Sequence, residues 1–166
     1  MVTDFNGKVV YLAGPSASRS AFNALTNELT QAGSKVFNPA TEPDGLSEAA
    51  YMQIGLARVP HADCVVCLPG AEVNEFASTQ INLAKTLQKL LVNPDYALLI
   101  RYARKLVGYT QEEAAHVYGV SDRHYKNYEL GHTPINHELA EIMIRQVFKL
   151  DLHTVYAQWV VSHETH

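Results

Sequence analysis

The sequence predicts an α/β domain built on a small parallel sheet, followed by an all-helical domain. Three observations support this prediction. The first half alternates short apolar runs with helix-like segments, a pattern typical of strands joined by crossover helices. Strand-like runs stop before Asn93-Pro94-Asp95, a natural junction. Beyond it, the apolar residues recur with helical spacing.

The elements of the first half follow one another in a β-α-β-α-β-α order. Short strands are predicted at residues 8–14, 35–38 and 63–68, and helices at residues 17–33, 47–59 and 76–92. Ser47 is a plausible cap for the second helix, and Pro60 stops it. The third helix is apolar over a broad arc. Because a three-stranded sheet leaves two edges exposed, we expect this half to pair with a second copy of the chain.

The second half predicts helices only, at residues 96–108, 110–119, 121–131, 136–150 and 151–161. We therefore divide the chain into a domain at residues 1–93 and a second domain at residues 94–166. Trp159 lies in an amphipathic segment, and core packing is the expected role of its indole.

Composition limits the class of protein further. With 47% hydrophobic residues and a net charge of −4, the 166-residue chain can bury a core, which excludes wholesale disorder. No apolar run reaches the length of a membrane span, and the N-terminus lacks the features of a signal peptide, so a cytoplasmic location is predicted. Cys64 and Cys67 point to opposite faces of one strand, and the histidines match no ligand spacing. We assign no metal and no cofactor.

The most specific pattern lies between Gly108 and Gly131. Thr110 and Glu113 form a capping box, Gly119 occupies a turn, and Ser121 caps the next helix. These are helix-turn-helix spacings. The runs Gly108–Gln111 with Ala115, Gly119–Ser121 and Tyr128–Gly131 resemble the Cro/XRE repressor family over residues 95–148.

This resemblance implies that the second motif helix enters the major groove of DNA. The side chains expected at the DNA are Gln111, Ser121, Arg123, His124, Lys126 and Asn127. The alternative is a helical bundle used for protein contacts, which the net negative charge of this half favours. A local cluster of Arg123, His124 and Lys126 favours DNA.

A second resemblance covers residues 8–92. The short runs at 11–15, 21–23, 38–40, 51–52 and 68–70, together with Asp63, are similar to the small phage and bacterial relatives of nucleoside 2-deoxyribosyltransferase, of which this half would be a truncated version. That family uses a glutamate nucleophile and a second acidic residue. The matching positions hold Gln80 and Gly55, so the resemblance implies a domain without catalytic groups. Glu72 and Glu75 lie close by in sequence and leave open a rescue of the chemistry.

The pocket itself is expected to survive at the carboxyl ends of the strands. Its ligand, a nucleoside or nucleotide, would contact Gly14, Pro15, Ser16, Asn23, Gly70 and Gln80.

The leading hypothesis is thus a phage or prophage-type homodimeric DNA-binding regulator with a degenerate nucleoside pocket as dimerisation or ligand-sensing platform. Two alternatives stay open: an active N-deoxyribosyltransferase or nucleotide N-glycosidase with a targeting helical domain, and a protein-interaction module that neutralises a host factor.

Overall fold

The computed structural model describes residues 3–162, so the terminal histidines His163 and His166 lie outside it. The strands are β1 Val9–Ala13, β2 Lys35–Phe37, β3 Cys64–Cys67 and β4 Leu90–Val92. The helices are α1 Arg19–Gln31, α2 Glu48–Arg58, α3 Glu75–Thr86, α4 Tyr96–Val107, α5 Gln111–Tyr118, α6 Asp122–Glu129, α7 His137–Gln146 and α8 Leu152–Val161. None of the helices within residues 3–162 is long and apolar enough to cross a membrane.

The sheet has four parallel strands in the order β2-β1-β3-β4. The α/β class with a parallel sheet and a following set of helices is confirmed, but the prediction of three strands was wrong. From β1 the chain moves to one side of the sheet to form β2 and then to the other side to form β3 and β4. Between β1 and β3 the connecting segments therefore leave in opposite directions, which opens a crevice at the carboxyl ends of these strands.

The missed strand lies inside the predicted helix 76–92. Helix α3 ends at Thr86 because Gln88 adopts a left-handed conformation with φ of 55°. The N–H of Lys89 then donates to the carbonyl of Ala84 at 2.9 Å, a hydrogen bond typical of a helix terminus. The chain emerges extended, and residues 90–92 pair with β3.

The two faces of the sheet carry separate apolar clusters. Val10, Leu12 and Val66 belong to a cluster with α1 and α8, whereas Tyr11 and Val65 belong to a cluster with residues of α3. Cys64 and Cys67 fall in different clusters, as the strand pattern predicts, and both thiols are buried and free.

Helix α8 packs chiefly against α1, and it also contacts α4 and α7. The Tyr156 hydroxyl, on α8, donates a hydrogen bond to the carbonyl of Cys67 at the end of β3. Trp159 is buried, as expected for a core residue. Helix α8 therefore covers part of the apolar surface of the first half, whereas Leu87 and Leu90 stay exposed beside the sheet, and the homodimer stays a prediction. The domain division at residue 93 stays a prediction, although one buried cluster contains residues from both sides of it.

Candidate functional site

The helix-turn-helix is built from α5, α6 and the turn between them; α4 packs against α6, and α7 packs against α4. Thr110 and Glu113 form the expected capping box, with N···O distances of 3.1 and 2.7 Å between side chain and backbone. Gly119 ends α5 at a φ of 84°, a conformation that residues with a side chain rarely adopt. The Ser121 hydroxyl then accepts from the N–H of His124 at 3.2 Å and begins α6. Local hydrogen bonds thus set where both motif helices start and where the turn lies.

A buried polar network holds the motif helices together. The carboxylate of Glu129, at the end of α6, accepts from Arg104 Nε at 2.6 Å and from Arg104 Nη2 at 3.2 Å. It also accepts from Gln111 Nε2 at 2.8 Å and from the Tyr125 hydroxyl at 2.9 Å. One carboxylate therefore joins side chains of α4, α5 and α6.

The charge of Glu129 is stabilised by this network. Its burial raises the pKa of the carboxyl group, but the hydrogen bonds from the three neighbouring side chains outweigh burial, and the pKa of Glu129 lies below its usual value. The group is therefore ionised at neutral pH, and its charge is neutralised by Arg104 rather than presented to solvent.

The outward face of α6 carries the positive side chains predicted to meet DNA. Arg123, His124 and Lys126 are exposed, and Asn127 is half-buried. The ring of His124 stacks on Tyr128 with 5.0 Å between centroids, and its Nε2 lies 3.2 Å from the Tyr128 hydroxyl. His124 is thereby held against its own helix, whereas the charged side chains of Arg123 and Lys126 are exposed.

The other two predicted DNA contacts have partners inside the motif. Gln111 donates to Glu129, and the Ser121 hydroxyl caps α6. Gln111 and Ser121 thus hold α6 in place through these hydrogen bonds. Only the donors and acceptors that they do not use here are available to a DNA phosphate.

A cavity of about 190 Å³ opens beside β1 and α2 in the first half of the chain. Its walls are largely aromatic and aliphatic, with Tyr11, Phe22, Tyr51, Ile54 and Phe76 among them. Two ion pairs belong to the same cavity, Arg19 with Asp44 and Arg58 with Glu42. The first pair is mostly exposed and the second is more buried. The cavity therefore offers apolar walls and charges that are already paired.

The six residues predicted to bind a ligand lie in three places. Ser16 lines the 190 Å³ cavity, and Gln80 lies directly behind its wall at Gly55. Pro15 and Gly70 line a separate cleft of about 290 Å³. Gly14 and Asn23 contact other parts of the protein: a methyl group added at residue 14 would meet Leu68 at 3.0 Å, and Oδ1 of Asn23 accepts from Nδ2 of Asn38 at 2.9 Å.

The two positions that depart from the deoxyribosyltransferase pattern touch one another. A Cβ atom built on Gly55 would lie 2.6 Å from Nε2 of Gln80 and 2.6 Å from the Tyr11 hydroxyl. Glu72 and Glu75 are not among the residues that line this cavity. Glu72 instead accepts from Tyr96 at 2.7 Å and faces the helical half. The acidic residues that do line the cavity are Glu42 and Asp44, and the carboxylate of Glu42 is paired with Arg58.

Sequence reasoning missed most of this cavity. The sequence does contain one signal for it: Tyr51, Ile54 and Arg58 are spaced three and four positions apart, which places them on one face of α2. Glu42 and Asp44 belong to the loop before α2, and only tertiary folding brings them to that face.

The cleft of about 290 Å³ lies where the two halves of the chain meet. The loops after β1 and β3 form one side, and His137 and His153 of α7 and α8 lie on the other. Tyr96, at the start of α4, accepts from the N–H of Gly70 at 3.2 Å. Within residues 3–162 no group of three His, Cys, Asp or Glu residues is placed to hold a metal ion.

Comparison with known families assigns both halves. Residues 8–93 match the family described as "Domain of unknown function (DUF4406)", and residues 100–146 match a helix-turn-helix family of the Cro/XRE type. No curated protein and no solved structure matches the chain. Because the first match covers more than half of the 166 residues, the chain belongs to the DUF4406 family, and its second half carries the helix-turn-helix of a DNA-binding regulator.

Proposed function

We propose that this protein is a DNA-binding regulator of the phage or prophage type that reads the major groove with α6. The observation that carries the proposal is the exposed pair Arg123 and Lys126 on the second motif helix. The nearby carboxylate of Glu129 is neutralised by Arg104, so it does not offset these cations. A guanidinium suits a guanine edge, and an ammonium suits a phosphate.

We further propose that the first half is a ligand-sensing and dimerisation platform without catalytic activity. Gly55 and Gln80 stand where the resembling enzymes use carboxylates, and a cavity of suitable position is retained beside them. A homodimer would present two α6 helices to a two-fold operator. Tyr96 of α4 contacts the loop after β3, and Tyr156 of α8 contacts the end of β3. We propose that these two contacts couple a change at the ligand site to the position of the helices.

Titration of labelled duplexes tests the DNA proposal. We expect Arg123→Ala to weaken binding to a selected site by about 1–3 kcal/mol. Lys126→Ala should weaken binding to all duplexes alike and reduce the slope of log K against log salt concentration by about one. Lys35→Ala, an exposed lysine on β2, is the matched control and should leave binding unchanged. Equal binding by the Arg123→Glu/Lys126→Glu double variant would refute DNA binding by this surface and would favour the protein-interaction alternative.

Chromatographic assay of purine and pyrimidine deoxynucleosides tests the absence of catalysis. We expect no free base, since an amide is a far weaker nucleophile than a carboxylate. Turnover that disappears in Glu72→Gln or Glu75→Gln would contradict the proposal and support the N-glycosidase alternative.

A further inference from the structure

Gln80 is a buried amide whose nitrogen has no hydrogen-bond partner in the described part of the chain. Its side chain is 1% exposed, and Nε2 has no partner among residues 3–162. A buried donor that forms no hydrogen bond costs free energy, so such groups are rare and call for an explanation. Apolar side chains of the same size would fill this place in α3 without that cost.

The amide can approach the cavity because residue 55 is glycine. A Cβ atom there would lie 2.6 Å from Nε2, closer than two such atoms can come, and 2.6 Å from the Tyr11 hydroxyl. Gly55 and Tyr11 both line the cavity. Two hydrogen-bonding groups therefore meet at the one part of the cavity wall that has no side chain.

We propose that Nε2 of Gln80 is the donor that recognises the ligand of this cavity, and that the ligand brings a hydrogen-bond acceptor to the wall at Gly55. This inference rests on the proposed ligand-sensing role of the first half. Tyr11 assists as a neutral hydroxyl, because burial raises its pKa far above neutral pH.

The remaining wall specifies the ligand's chemical class. Phe22, Ile54 and Phe76 suit a planar ring. The cations Arg19 and Arg58 are each paired with a carboxylate, so the cavity offers no net charge to a ligand. A volume of about 190 Å³ suits one small molecule. The ligand is thus an uncharged heterocycle, free or as a nucleoside base, with an oxygen or ring-nitrogen acceptor on the edge that enters first.

Calorimetric titration with the four common deoxynucleosides and their 5′-monophosphates tests the assignment, combined with thermal melting of the ligand-free protein. Gln80→Met removes the donor and keeps the volume. We expect the bound probe to lose at least tenfold in affinity, while the ligand-free variant melts no lower than the unchanged protein. Gln53→Met, an exposed glutamine on α2, is the matched control and should change neither.

The outcomes separate this inference from the proposed function. If a probe binds unchanged protein and Gln80→Met equally well, Gln80 is not the recognition donor, although the cavity still binds a ligand. If Gln80→Met melts lower without ligand, the amide has a structural partner, and the inference is refuted. If no probe binds the unchanged protein, the ligand-sensing role and this inference both fail. Gln80→Leu, which also removes the donor and keeps a similar volume, serves the same comparison if Gln80→Met does not fold.

Discussion

Replacing Glu129 with alanine removes the buried carboxylate at the centre of the helix-turn-helix. The change leaves Arg104, whose side chain is 14% exposed, without a counter-charge, and it leaves Gln111 and Tyr125 without their acceptor. Removing one partner of a buried ion pair costs about 3–5 kcal/mol. In a chain of this length each kcal/mol lowers the melting temperature by about 2–4 °C, so we expect a decrease of roughly 6–20 °C.

Urea unfolding and thermal melting followed by circular dichroism measure this loss. Glu141→Ala, an exposed carboxylate on α7, is the matched control and should change the free energy of unfolding by less than about 0.5 kcal/mol. A Glu129→Ala protein that unfolds within about 1 kcal/mol of the unchanged chain would refute the conclusion that the network is a buried, charge-dependent support.

The same carboxylate also predicts a dependence on pH. The pKa of Glu129 is lower in the folded protein than in the unfolded chain. Its contribution is therefore complete above the unfolded pKa, about 4.3, and is lost as pH falls through the folded pKa. Glu129→Gln should show a shallower loss of stability than the unchanged protein in this acidic window, and parallel curves would contradict the assignment.

Three further predictions concern the rest of the chain. Tyr156→Phe, which leaves the Cys67 carbonyl without its donor, should cost about 1–3 kcal/mol of unfolding free energy, and an unchanged urea midpoint would show that this hydrogen bond does not hold α8. Gly119→Ala forces a side chain into a φ of 84° and should destabilise the protein by about 1–2 kcal/mol, whereas equal melting temperatures would show that the turn adapts. Sedimentation at micromolar concentration should give a homodimer, and a monomer alone would remove the dimerisation platform.

The helix-turn-helix was predictable because its signals are local. The capping box of Thr110 with Glu113, the left-handed Gly119 and the Ser121 cap each involve residues within a few positions of one another. Such hydrogen bonds form in the same way whatever the rest of the chain does. The inward positions of Tyr125 and Tyr128 follow from the helical repeat alone.

The end of α3 could not be predicted in this way. Leu90 and Leu91 continue the apolar spacing of a helix equally well, and the residue that turns the chain is Gln88 rather than glycine. Pairing with Cys64 and Val65 of β3 decides that these leucines are extended. That choice depends on a strand more than twenty positions earlier, which no local pattern reveals.

The amino-acid sequence by itself determined the parallel α/β first half, the helical second half and the helix-turn-helix motif. Only the tertiary structure decided that α8 returns to pack on α1, that Arg104 neutralises Glu129, and that Nε2 of Gln80 lies behind Gly55 without a partner among residues 3–162. The reason is physical. Local structure follows from short-range hydrogen bonds and periodic burial, whereas the covering of a sheet face and the pairing of a buried charge depend on residues far apart in the chain.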